Sequence, residues 1–455
     1  MNQPVSKTIT MPAEAIPVVD EADVVVVGGG TSGFIAATAA ARLGAKTILV
    51  ERFGYLGGCT TTTYNTSIGI FVDSEGKQII KGLAQEFLDR LVKEGEAFYV
   101  PSRSPQIWPP TTKKVAMDMV TESGVNLYFY TVLIDVVKEG KTLKGVVVHN
   151  KGGKGVILAK SFVDASGDAD VAALCGCPYE VADLDEIQQV SVDYLACGVN
   201  AAKVIEWARQ NRDKLHGVQG IDLPRAEYGA QPMVSFTIPD ANSKSVDGVY
   251  QHVGVMPTVK LLVYNEAVRI QGNNDINPLD PKALSYAEVN GLYGALNHLK
   301  YLKENVPGFE GAFVAAQNHL GVRESRQILA DYQLTIDDVK QQRRFEDVVA
   351  LNCRALDYHL KGTVFKISYL EGHHDVPLRS LLPQGVENVV VAGRAISCDH
   401  YAQASLRGAA TCMATGHAAG VAAAIAARGN GDIRQQNIRV IQDALLSQGA
   451  VLKTD

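Results

Sequence analysis

None of the seven cysteines forms a Cys-x-x-Cys pair, and that absence removes dithiol exchange as an expected activity. An odd, dispersed set also fits a reducing compartment better than a disulfide framework, so a cytoplasmic protein is expected. Long hydrophobic runs are missing: no eighteen consecutive residues are apolar, and no membrane span is expected. An excess of positive charge is missing as well. The formal net charge of −6 argues against nucleic acid or an anionic membrane as partner. The first twenty residues lack the apolar centre of a secretory signal and read as a flexible tail. There is no internal repeat and no low-complexity tract. Cys175 and Cys177 are too few for a metal site and too close for an easy disulfide, so no metal is expected.

What is present is an ordinary globular composition, 46% hydrophobic and 20% charged, over 455 residues. That length exceeds one core and implies two or three domains. The most informative stretch is Asp23-Val-Val-Val-Val-Gly28-Gly-Gly30-Thr-Ser-Gly33. Val24 to Val27 reads as a parallel strand buried on both faces. Gly28, Gly30 and Gly33 give the G-x-G-x-x-G spacing, for a tight turn, backbone approach to a pyrophosphate, and close helix–strand packing. Ser32 to Leu43 is Ala-rich and reads as a helix capped by Gly44, its amino end offering free amides to a phosphate. Lys46 to Val50 returns as a strand, and Glu51 stands where a carboxylate accepts hydrogen bonds from a ribose diol. Such an acid favours FAD or NAD over NADP.

A Gly- and Thr-rich loop from Gly54 to Thr63 follows, with backbone that can approach a ligand. Gln78 to Lys93 reads as an amphipathic helix, Pro101 to Pro110 as an irregular excursion, and Val115 to Ser123 as helix. Asn126 to Val137, Leu143 to Asn150 and Lys154 to Leu158 read as strands, and Ser161 to Asp168 as another ending in a Gly turn. From Tyr179 to Glu310 periodicity weakens, as in an inserted domain. The expected fold is therefore α/β. A Rossmann-like cofactor domain is split over 21–178 and 311–430 around an α+β substrate or cap domain at 179–310, flanked by a tail at 1–20 and a C-terminal segment at 431–455. No second strand–glycine–helix–acid unit follows residue 100, so electrons are expected from an organic substrate. Aromatic hydroxylases, which bind NADPH without a second fingerprint, leave that argument incomplete.

Several motifs together resemble a known family. They are the N-terminal fingerprint, Val163-Asp-Ala-Ser-Gly167-Asp168, Gly321-Val-Arg323-Glu324-Ser325-Arg326 and Pro377-Leu-Arg379-Ser-Leu-Leu-Pro383. Asn388-Val-Val-Val-Ala-Gly393-Arg394 and the small-residue helix from Gly408 to Arg428 complete the set. They resemble the bacterial FAD-dependent oxidoreductases of the glutathione-reductase-like flavoprotein superfamily, at both ends of the chain but hardly in the middle. The resemblance implies FAD. Asp168 would lie near its phosphate or ribityl region, Gly393 and Arg394 would meet the pyrophosphate or ribitol, and the last helix would point at the pyrimidine edge of the flavin. It adds Thr31, Ser32, Arg52, Gly58, Cys59, Thr60, Leu133, Ala165, Gly408 and Ala409 as cofactor contacts.

Flavin dehydrogenation needs a base near the reacting carbon. His400 is the first candidate and His373 and His374 the second, with Tyr401 as a hydrogen-bond donor or packing residue. Arg323, Arg326, Arg379 and Arg407 could clamp a carboxylate. The alternative is an ion pair of Arg323 or Arg326 with Glu324 or Asp331. Cys59 stands alone, which disfavours disulfide exchange. The expected activity is an FAD-dependent dehydrogenase or oxidase of a small polar, carboxylated or uncharged metabolite. Dioxygen, a quinone or a protein would take the electrons, and the oligomeric state stays open. The alternatives are a flavin monooxygenase using NAD(P)H and dioxygen, and a non-catalytic electron-transfer subunit.

Overall fold

Short Val-rich runs without polar alternation are stable only where both faces are covered, and such runs form the middle of a seven-stranded sheet. The computed structural model describes residues 8–95, 97–98, 104–219, 234–238, 250–256, 261–267, 276–359 and 366–454. Parts of the expected tail (1–7), of the proline-rich excursion (101–103) and of the inserted domain lie outside the described residues.

From the start of the chain come β1 (Val18–Val27), α1 (Thr31–Arg42), β2 (Thr47–Val50), β3 (Asn126–Tyr128), β4 (Val132–Glu139), β5 (Thr142–Asn150) and β6 (Gly153–Asp164). β1 pairs in parallel with β2 and β6, and β2 with β3. β4 and β5 form an antiparallel hairpin joined to the first half of β6. The order is β3-β2-β1-β6-β5-β4.

A second sheet takes β7 (Ser191–Cys197), β8 (His216–Gln219), β9 (Val234–Thr237), β10 (Tyr250–Met256), β11 (Leu261–Ala267) and β12 (Phe313–Gln317). Its order is β8-β9-β10-β11-β7-β12, and every described pairing is antiparallel. The helix α2 (Pro281–Asn305), capped by the Asp280 side chain, lies against it. A Cβ on Gly291 would lie 2.3 Å from Val192 Cγ2, so a glycine lets the helix settle that close. β12 belongs to this sheet, which therefore runs past the expected boundary at residue 310.

The chain then returns to the first sheet. β13 (Val389–Val391) pairs in parallel with the last three residues of β6, and α3 (His400–Leu406) and α4 (Ala409–Ala427) follow. α4 packs along α1: a Cβ on Gly416 would lie 2.2 Å from Ser32 O, and one on Gly420 2.1 Å from Ala36 O. Only glycine permits that approach. α4 is long and apolar enough to cross a membrane, yet 94% of it is buried inside the fold.

Several local expectations shift for identifiable reasons. The helix expected from Gln78 begins at Leu83, because Gly82 (φ +62) breaks the helical path before it. The helix expected from Val115 begins at Pro109, since a proline is at home in a first helical turn. Tyr130 (φ +51) divides Asn126 to Val137 into two strands, whereas the strands expected either side of Lys160 are one, β6.

Candidate functional site

At the carboxyl end of β1 the chain turns through Gly28 (φ +97) and enters α1 with no capping side chain. The three fingerprint glycines are there for different reasons. A Cβ on Gly33 would lie 1.7 Å from Gly28 O, and one on Gly28 2.4 Å from Ala165 O, so internal packing demands both. A Cβ on Gly30 would meet only Gly58 Cα, at an ordinary 3.7 Å. Nothing among the described residues requires glycine there. Opposite it Gly58 sits at φ +55, and Gly57 N donates to Gly29 O at 2.9 Å. Two bare backbones thus form a strip before uncapped helix amides, which is what a pyrophosphate needs.

Glu51, buried after β2, accepts from Gly29 N at 2.6 Å and from Phe53 N at 2.8 Å. Burial raises its pKa, only partly opposed by those amides. A carboxylate has about four acceptor positions, so roughly two remain for a ribose diol. Arg52 is exposed, 5.2 Å over the Phe53 ring, and Leu133 is half-buried on β4 opposite Val148. Thr60 is committed to the loop itself, its hydroxyl donating to Gly57 O at 2.8 Å. Cys59 is unpaired, as are all seven cysteines, and burial pushes its thiol up.

Gly393 (φ +86) abuts α1: a Cβ there would lie 2.9 Å from Ser32 Oγ. The Arg394 guanidinium, expected to meet the cofactor, makes three hydrogen bonds to protein. Nε donates to Gly167 O at 2.8 Å, Nη1 to Val322 O at 2.6 Å and Nη2 to Asp168 Oδ1 at 2.6 Å. It staples the loops after β6 and β13 to the segment after β12. Ser325 Oγ donates to the same Asp168 oxygen at 2.6 Å. Burial opposes ionisation of Asp168, but Arg394 and Ser325 outweigh it and hold the carboxyl below its ordinary value. At the amino end of α4, Ala410 N donates to Ile68 O at 2.7 Å and Gly408 presses on Arg354. One amide of that helix end is therefore already used.

A second cluster gathers charged side chains from distant segments. Asp357 Oδ2 accepts from Arg354 Nη2 at 2.7 Å and Arg407 Nη2 at 3.2 Å, and Oδ1 lies 3.0 Å from His359 Nε2. Arg323 Nη1 donates to Gln189 O at 2.6 Å. Burial is the largest influence on Asp357, His359 and Arg407, whose side chains keep 17%, 17% and 11% exposure. Burial would raise the Asp357 carboxyl, but Arg407 and Arg354 hold it well below its usual range. Burial drives His359 down to about 3, leaving a neutral ring. On β7, burial pushes Asp193 up to about 8, against the attraction of Arg323.

His400 opens α3 beside Asp399, which caps the helix by accepting from Ala402 N at 2.7 Å. Its Nδ1 lies 2.7 Å from Glu324 Oε1, and Glu324 Oε2 accepts from Gln188 N at 3.0 Å. Burial disfavours charge on the imidazole, but the Glu324 hydrogen bond outweighs it and raises the pKa. His400 Nε2 is buried with no partner among the described residues, and so is Arg407 Nε.

The other expected residues lie elsewhere. His373 is no base: Nδ1 is 2.9 Å from Asp73 Oδ2 and Nε2 is 3.0 Å from Thr454 Oγ1, so both nitrogens hold structure together. Tyr401 is 46% exposed and packs its ring on His400 and Tyr358. Arg326 pairs with Asp170 and Arg379 with Asp347, while Glu324 serves His400 and Asp331 serves Arg434. The ion-pair alternative thus named the wrong partners. Sequence reasoning missed Arg354, Asp357, His359, Asp193 and Gln188. Arg354-Ala-Leu-Asp357-Tyr-His359, three charged or titratable residues directly after an apolar strand, was the available signal.

The open face of Gly30, the uncapped start of α1 and the spare acceptor capacity of Glu51 fit FAD. Comparison with known proteins agrees. A family model described as FAD dependent oxidoreductase matches residues 23–445. The chain is 32% identical over 145 residues to a thiamine thiazole synthase of Aeropyrum pernix, covering 32% of this chain and 50% of that protein. It is 59% identical over 39 residues to a leghemoglobin reductase of Glycine max, covering 9% of this chain and 8% of that protein. The chain thus spans half or less of the length of these curated relatives. Among solved structures it is similar to the flavin-dependent brominase Bmp2, with a TM-score of 0.45 and 14% identity over 94% of this chain and 83% of that one. A flavoprotein/dehydrogenase from Cytophaga hutchinsonii gives a TM-score of 0.45 and 13% identity over the same shares, 94% and 83%.

Proposed function

The chain belongs to the family of FAD-dependent oxidoreductases, and on that premise we propose a dehydrogenase or oxidase of a small polar metabolite. Bound FAD supplies the hydride acceptor; the chain supplies grip, orientation and the proton acceptor. One observation carries this reading. Glu324 fixes Nδ1–H of His400 at 2.7 Å, so the neutral ring offers its lone pair at Nε2, the buried nitrogen without a described partner. That is the arrangement of a base oriented by a third group. His400 takes the substrate proton at Nε2, and Glu324 stabilises the imidazolium that results. Gln188 N, bonded to the other Glu324 oxygen, keeps the carboxylate from turning away.

The second sheet supports electron entry from an organic substrate. Its described pairings are antiparallel throughout, whereas a second dinucleotide unit needs a parallel strand–helix–strand crossover. We read the split first sheet, with β1–α1–β2 from the start and β13–α4 from the end, as the glutathione-reductase-like form of this fold. Dioxygen, a quinone or a protein takes the electrons onward.

Anaerobic mixing tests the proposal. A dehydrogenase bleaches its flavin when a metabolite from a panel is added alone. Bleaching that requires NAD(P)H identifies a monooxygenase, and bleaching only by a partner protein identifies a carrier.

A further inference from the structure

We infer that Gln403 and Gln188 are positioning residues for His400, closing a ring of hydrogen bonds that holds the Glu324 carboxylate against the imidazole. The inference deepens the dehydrogenase reading and rests on it for the role of His400, though not for the ring.

The ring can be followed bond by bond. His400 Nδ1 lies 2.7 Å from Glu324 Oε1, and Glu324 Oε2 accepts from Gln188 N at 3.0 Å. The Gln188 side chain donates from Nε2 to Gln403 Oε1, and Gln403 Nε2 donates to Arg323 O at 2.8 Å. Arg323 O belongs to the peptide unit that leads into Glu324. Gln403 stands three residues after His400 on α3, which puts both on one face of the helix. A single side chain thus holds the chain before the carboxylate and the residue bonded to it, from the same helix that carries the base.

The polarity of the ring is fixed from one end. A carbonyl only accepts, so Arg323 O compels Gln403 to present Nε2 to it and Oε1 to Gln188. Gln188 must then give Nε2, which leaves its Oε1 as the amide atom of the ring with no partner among the described residues. Neither amide can turn over without setting like groups against each other. Gln403 is 0% exposed and Gln188 2%, so a lost bond leaves a buried polar group unsatisfied. Other ties fix the Glu324 segment to different parts of the fold: Arg394 bonds Val322 O, and Ser325 bonds Asp168. Among the described hydrogen bonds, those of Gln403 and His400 are the ones that register it to α3. Without Gln403 and Gln188 the carboxylate is free to turn, and the imidazole proton can settle on either nitrogen. A base needs it on Nδ1, with the lone pair at Nε2.

The test uses the FAD-loaded protein with 15N-labelled histidines, the His400 ring signals being identified by their loss in His400→Gln. In the wild type the neutral ring should show one tautomer, with its proton on Nδ1. Gln403→Met nearly conserves volume and removes both amide bonds. There the ring should show mixed tautomers and titrate at lower pH, because the Glu324 bond that raises its pKa is loosened. The surrounding charges stay the same in both proteins: Glu324, Glu186 and Asp399 about the ring, Asp357, Asp338 and Lys340 on the elements packed against α3. His417, bonded to Gln448, should keep its signals and so separates a local change from a general lesion. Should Gln403→Met fail to fold, Gln188→Met opens the ring at its other amide and should give the same two changes. Wild-type tautomer and titration in either folded variant overturn the ring, and so does a tautomer mixture in the wild type itself. The two readings fail separately. Mixed tautomers in a variant that is bleached as fast as the wild type keep the ring and end His400 as the base. A flavin that no metabolite bleaches ends the dehydrogenase and leaves the ring standing on its tautomer.

Discussion

The two ends of the site are made of different material. The nucleotide end is backbone: Gly28, Gly30, Gly57 and Gly58 present amides and bare Cα atoms, and the strip closes within a short span of sequence. The inner end is side chain: Arg323, Asp357, His400 and Arg407 reach it from separate segments, each held by partners of its own. Backbone geometry depends on local sequence, so the first end tolerates almost no substitution at its glycines. Side-chain geometry depends on which distant segments meet, so the second end can change charge while the scaffold stays.

The most damaging way to break this contrast lies within the fingerprint. Gly33→Ala places a Cβ 1.7 Å from Gly28 O, a backbone atom that cannot give way. Overpacking there should cost ~3 kcal/mol, the upper end of the usual range, and we expect a thermal midpoint far below that of the wild type. Gly30→Val should do the opposite, folding with the apoprotein midpoint unchanged yet binding no FAD. A yellow, fully loaded Gly30→Val protein would remove the pyrophosphate from this strip.

At the inner end the effects should fall on rate rather than on folding. His400→Ala is expected to keep its flavin while anaerobic reduction slows by ~10²- to 10⁴-fold, the usual loss on deleting a general base. Unchanged single-turnover bleaching eliminates His400 from the mechanism. In the wild type, reduction should accelerate as pH rises through the His400 pKa, which Glu324 holds above 6.5 despite burial. Stability should run the other way. A raised folded pKa means that the His400–Glu324 pair contributes fully below the unfolded value of 6.5 and loses its contribution as pH rises through the folded value. The wild-type midpoint should therefore decline across that window relative to His400→Ala, and parallel profiles would deny the pair a stabilising role. The smallest effect belongs to Tyr401→Phe, whose ring is 46% exposed. We expect a change within about 0.5 kcal/mol and the wild-type reduction rate; a tenfold loss of rate would return Tyr401 to the site.

The same contrast decides what could be read from the sequence. β1, α1, β2 and α4 were legible because glycine spacing, apolar runs and small-residue content are local signals of buried strand and tight helix. Glu51 was legible in position, though not its bonds to Gly29 and Phe53. His400 stood out by lying just past β13, but Glu324 as its orienting partner required the tertiary fold. For Arg394, nothing local shows that Gly167, Asp168 and Val322 take up three of its donors. His373 was misjudged for a similar reason: its partners, Asp73 and Thr454, lie near opposite ends of the chain. Asp193 carries no marker in sequence, and its burial on β7 near Arg323 comes from the fold.

Gly416 and Gly420 seat the last long helix against Ser32 and Ala36, at the other extremity of the polypeptide. During synthesis the first helix therefore emerges long before the partner that covers it, and β6 long before β13, the parallel strand that pairs with it. Truncations that remove the late helix should therefore accumulate as colourless, aggregation-prone chains even though every fingerprint glycine is intact.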